Sequence, residues 1–160
     1  MSGKLNLLHI LVVLSAAGCI FYAWEGAKHR TVRLRRSFRA PGWALLAALL
    51  LAFFEIAMKQ RWWPFPIALL LGGAVGAAYG LLVKLRIEDY WLVVRPTGRR
   101  IPVWIALVLM AAVLVDVVGA WWGPDARVVR FPGALVALGC AGLLWGRALG
   151  MTIRLWHLNR

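Results

Sequence analysis

Apolar residues gather into five runs, at about 6–24, 42–58, 66–83, 102–122 and 131–150, with charged residues confined almost wholly to the segments between them. Each run is roughly 17–21 residues long, the length a helix needs to cross ~30 Å of hydrocarbon. The pattern predicts an all-α membrane protein of about five transmembrane helices in a single polytopic domain, residues 1–160. One inter-helix segment departs from it. Between 87 and 101, Tyr90–Val94 has strand-like composition and Pro96-Thr97-Gly98 reads as a turn, so a short β-hairpin is expected there.

Glycine placement refines the helices. Gly72, Gly76 and Gly80 recur every four residues in the third run, and Gly142, Gly146 and Gly150 do so in the fifth. Such spacing puts each set on one helical face. In water each glycine would weaken a helix by ~1 kcal/mol relative to alanine. In lipid, bare faces let helices touch closely, so these six residues are expected to be packing positions. The third and fifth helices should meet there, on each other or across a dimer.

The formal charge of +13 would suggest nucleic acid in a water-soluble chain. Its distribution points to a membrane instead. Lys28, Arg30, Arg33, Arg35, Arg36 and Arg39 crowd the first loop; Lys84, Arg86, Arg95, Arg99 and Arg100 crowd the third. The second and fourth loops carry two bases each: Lys59 and Arg61, then Arg127 and Arg130. By the positive-inside rule the N-terminus is outside and the C-terminus cytoplasmic, as in a bacterial inner-membrane protein. The first run is then read as a retained helix, although Ser15–Cys19 loosely resembles a lipoprotein cleavage site. Arg33, Arg35, Arg36, Arg39, Arg95, Arg99 and Arg100 form a candidate surface for anionic lipid or a partner, each base near such lipid contributing ~1 kcal/mol. Among the 10 tryptophans, Trp24, Trp43, Trp62, Trp63, Trp104, Trp121 and Trp122 lie at run ends, as headgroup anchors do.

Charges within the runs are the candidate chemistry, because an unpaired charge at mid-bilayer costs at least ~2.5–3.5 kcal/mol. His9, Glu55 and Asp116 fall at similar outer depths, about 6–9 Å from the helix ends at 1.5 Å per residue, and together could relay protons or bind a cation. The plainer expectation pairs Glu55 with Lys59 or Arg61, and leaves His9 as an interfacial residue. Arg147 is expected to snorkel toward the cytoplasmic headgroups. Cys19 and Cys140 make no metal-ligand spacing, and their expected depths do not favour a disulfide. His29 and His157 lie on the opposite side from His9, which excludes a matched haem pair. Phosphate-binding, nucleophile-elbow and metalloprotease motifs are absent from the sequence.

The order of features over residues 28–118 is similar to that of the CcdC-like family of small bacterial membrane proteins. A basic first loop precedes a basic-ended glycine helix, an extended segment with a basic turn (Val93–Arg100) and a plain apolar helix. The chain departs from that pattern at Asp116, where a base is expected. The resemblance implies a small multi-pass membrane protein and brings no activity with it. The expected function is therefore non-enzymatic and accessory, without cofactor, metal or nucleic acid. Such a protein would hold anionic lipid, another membrane protein or a second copy of itself. The alternative is a small proton- or cation-coupled transporter or channel using Asp116, Glu55 and His9.

Overall fold

In a computed structural model the described residues are 7–28, 32–33, 37–57, 61–83, 85–87, 93–96, 100–122 and 127–158. They form helices α1 (Leu7–Lys28), α2 (Arg39–Ala57), α3 (Pro64–Leu82), α4 (Ile101–Trp122) and α5 (Arg127–Leu158). All five are long and apolar enough to cross a membrane. Large apolar side chains face outward along them, among them Leu14, Phe53, Leu70, Leu82, Trp104 and Val118. A water-soluble domain would hide these residues; a lipid-facing wall displays them. The chain is a multi-pass membrane protein.

The interior is built of small residues. Ala16, Ala44, Ala47, Ala48, Ala106, Ala134, Ala137 and Ala141 are fully buried with Leu51, Leu109 and Leu138 between them. Lipid tails are as apolar as leucine, so helices in a bilayer gain by close van der Waals fit, which alanine permits. Hydroxyls inside the spans stay within their own helix: Ser15 Oγ donates to the Leu11 carbonyl and Thr152 Oγ1 to that of Ala148, both at 2.7 Å.

Helix α5 is the centre. It packs against α2, α3 and α4, while α1 packs on α2 and α4. In the α5 span 67% of residues are buried, against 17% in α3, which leans on the bundle through α5. That contact is the glycine seam. A methyl group added at Gly72 would collide with the carbonyl of Gly139, and one at Gly76 with that of Leu143. At Gly80 it would stand 2.5 Å from the Arg147 carbonyl oxygen. Looking back from α5, Gly142 abuts the Leu69 carbonyl, Gly146 that of Gly73 and Gly150 that of Ala77. The two sets of glycines therefore close on each other within one chain. The steps 72 to 139, 76 to 143 and 80 to 147 advance together, so α3 and α5 run in the same direction.

Ring contacts set the other directions. His9 at the start of α1 meets Phe54 near the end of α2, and Phe65 in α3 meets Phe131 in α5. At the far end Tyr22 of α1 stacks with Trp43 of α2, and Phe38, just before α2, meets Trp145 of α5. Helices α1, α3 and α5 thus run one way, α2 and α4 the other. Three short strands lie at the end carrying Lys28, Arg39 and Arg100: β1 (Val32–Arg33), β2 (Leu85–Ile87) and β3 (Val93–Pro96), in the order β1-β3-β2 and antiparallel. The hairpin expected over 87–101 had its turn at 96–98, and residues 97–99 lie outside the described residues.

Three boundaries differ most from the hydropathy pattern. Helix α1 continues to Lys28, and α5 starts at Arg127 rather than 131 and continues to Leu158. Pro132 lies inside α5. As the sixth residue of the helix it leaves the carbonyl of residue 128 without its N–H partner, an interior position where proline costs about 3 kcal/mol. Arg130 becomes a helical residue in consequence.

The seam yields a direct test. Gly76→Leu or Gly146→Leu should detach α3 and lower unfolding stability in detergent by at least about 1–3 kcal/mol, the usual cost of overpacking. Gly139→Ala should change it little, because a methyl there meets nothing within 4 Å. With Cys19 and Cys140 replaced, a Tyr79→Cys, Arg147→Cys pair, at positions whose native side chains already meet, should be joined within the monomer by a short bifunctional thiol reagent. Cross-linked dimer as the main product would refute the intrachain seam.

Candidate functional site

At the end opposite the basic loops, three buried charges meet. Glu55 lies in the last turn of α2, Asp116 about 9 Å before the end of α4 at 1.5 Å per residue, and Arg130 in the first turn of α5. They are 5%, 1% and 8% exposed. Arg130 Nε donates to Asp116 Oδ1 at 3.0 Å, and its terminal Nη2 stands 3.3 Å from Glu55 Oε1. One guanidinium thereby ties α2, α4 and α5 together. Its planar fork can serve two carboxylates at once, which a lysine could not do with equal geometry.

Local structure explains how Arg130 gets there. Asp116 precedes the α4–α5 connection and Arg130 follows it, so the antiparallel turn returns the base to the depth of the acid. Without the extra turn of α5 before Pro132, Arg130 would belong to a loop. Each charge is costly alone in hydrocarbon and tolerable only in company.

Of the residues singled out from the sequence, the structure unites Glu55 and Asp116, through Arg130. Glu55 pairs with Arg130 across the bundle, a partner that the sequence pattern did not single out. Arg61 is exposed, and Lys59 lies outside the described residues. His9 is at the same end but joins neither acid. Its ring meets that of Phe54 at 5.0 Å, tilted by 35°, and both ring nitrogens are buried without a hydrogen-bond partner. Arg130 had looked like a loop base. A signal for it existed: an acid and a base placed at comparable distances on either side of a short inter-helix connection.

The remaining candidates take no part in this cluster. Cys19 and Cys140 are free thiols in the same buried core, an arrangement that sequence depth did not suggest. Among the described residues no three His, Cys, Asp or Glu side chains gather as metal ligands. Of the basic surface, Arg33 and Arg95 fall on β1 and β3, and Arg39 begins α2 with its guanidinium 5.9 Å over the Tyr22 ring. Arg100 immediately precedes α4, and Arg35, Arg36 and Arg99 lie outside the described residues. No protein-family model, curated protein or solved structure matches the chain.

The cluster should behave as one unit. Arg130→Met leaves two carboxylates buried without their cation and should destabilise the protein by about 3–5 kcal/mol, as broken buried pairs do. Adding Glu55→Gln and Asp116→Asn should restore much of that loss. Thermal unfolding of the single and triple variants measures it; equal stability of wild type and Arg130→Met would disprove the clamp.

Proposed function

We propose that this protein takes up one proton or monovalent cation at Glu55–Arg130–Asp116, as a small transporter or channel would. One observation supports this above others: two buried carboxylates share a single buried guanidinium. Fully ionised, the three groups sum to one negative charge. Ionised acids at this depth are costly, and a carboxylate pair inside a span is by default a place where a proton or cation can be taken up. His9, close by on α1 with both ring nitrogens lacking partners, is a fitting relay to the surface.

An accessory role is the second reading, and a different observation favours it. The sheet draws β1 from the first basic loop and β3 from the third into one structure, with Arg33 opposite Val93 and Arg86 opposite Arg95. Two basic segments distant in sequence thus become one basic platform suited to anionic headgroups or an acidic partner. The glycine faces, engaged with each other, leave this platform as the surface for such a partner. Both readings are non-enzymatic, and both place the platform on the cytoplasmic side of a bacterial inner membrane, with the N-terminus outside.

Proton and monovalent-cation flux into liposomes separates the two. Wild type should conduct and Asp116→Asn should not, with the variant still folded. Equal flux from both, or none from well-folded wild type, would defeat the cation reading and leave the platform in front. Orientation has its own check. Arg36→Cys and Gly98→Cys should resist an impermeant thiol reagent applied to intact cells, and labelling of either would reverse the assignment.

A further inference from the structure

Helix α5 carries a second buried arginine that the Glu55–Arg130–Asp116 cluster does not employ. Arg147 lies toward the basic end and is 4% exposed, so the protein encloses it rather than letting it snorkel as its position suggested. The seam seats it there. Gly80 of α3 rests against the Arg147 backbone, with its absent methyl position 3.1 Å from the Arg147 Cα. One residue earlier on α3, the Tyr79 ring lies beneath the guanidinium, 5.5 Å from its Cζ.

What Arg147 lacks is an anion. Its Nε is buried without an acceptor, and among the described residues no carboxylate forms an ion pair with it. A tyrosine face attracts a cation but does not neutralise it. Arg154, two turns further along α5, shows the contrast: its Nη1 donates to the Leu81 and Val83 carbonyls, both at 2.6 Å, closing the end of α3. Two arginines thus share one end of one seam, one satisfied by backbone and the other not.

We infer that Arg147 is the binding residue for a single oxyanion of the phosphate class, held at the edge of the α3–α5 seam beside Tyr79. The planar fork of a guanidinium matches phosphate oxygens, and Tyr79 lies one turn from the end of α3 at Leu82, near headgroup level. The phosphate can come from a phospholipid headgroup or from free phosphate. This site stands apart from the proposed cation site, at the other end of the bundle, and neither depends on the other.

The test uses the full chain, purified in non-ionic detergent and phosphate-free buffer. Phosphatidylglycerol is titrated in one arm and inorganic phosphate in the other, with thermal stability and native mass spectrometry as readouts. Wild type should retain one more phosphatidylglycerol than Arg147→Met and gain a larger rise in melting temperature from it. Arg147→Lys, which keeps the charge but loses the fork, should bind about tenfold more weakly than wild type. A response to phosphatidylglycerol alone assigns the site to lipid; a response to inorganic phosphate as well assigns it to the free anion. In the absence of either, Arg147→Met should be no less stable than wild type, since it removes an uncompensated buried charge. A less stable variant would mean that the guanidinium already has its partner in the protein. That result, or equal phosphatidylglycerol and phosphate responses from all three proteins, would overturn the assignment.

Discussion

Backbone approaches backbone most closely where α3 meets α5, and it can do so because glycines on each helix, lacking a Cβ, face main-chain carbonyls of the other. Lipid gives helices no hydrophobic reason to associate, so contact must come from fit, and glycine gives the closest fit available. Each glycine faces a carbonyl of the other helix and not a side-chain tip. A rotamer change therefore cannot make room for a larger residue. The seam keeps α3 on the bundle, sets the parallel direction of the two helices, and places Tyr79 against Arg147.

Three of the four arginines on helix α5 have settings that differ in kind. Arg130 meets two carboxylates from two other helices. Arg154 meets two main-chain carbonyls at the end of α3. Arg147 meets an aromatic face alone. The first arrangement binds the bundle together through two acids and one base, and the third leaves a guanidinium with no carboxylate partner among the described residues. These settings lie at opposite ends of one helix. Both follow from the same rule, that a charge removed from water must find a counter-charge or remain a cost.

Much of the architecture was legible along the chain. Five apolar runs gave five helices because span length and hydropathy are local properties, counted residue by residue. The six seam glycines were visible from their four-residue spacing, and Asp116 and Glu55 because a charge within an apolar run is conspicuous. Arg130 was not, since it sits at a run's edge before a proline, where a base reads as part of a loop. The length of α5 was hidden for the same reason: hydropathy marks where lipid ends, not where the helix does.

Pairing lay beyond local pattern. Spacing could put glycines on one face of each of two helices, yet whether those faces met each other or a second molecule depended on the packing of all five. Likewise the sequence marked two acids as costly, but the bundle selected Arg130 as their shared cation and left Arg147 with a tyrosine. Periodicity and hydropathy follow from bonds along the chain. Partners follow from which surfaces fit, and in a solvent as apolar as the helices themselves only the assembled shape can decide that.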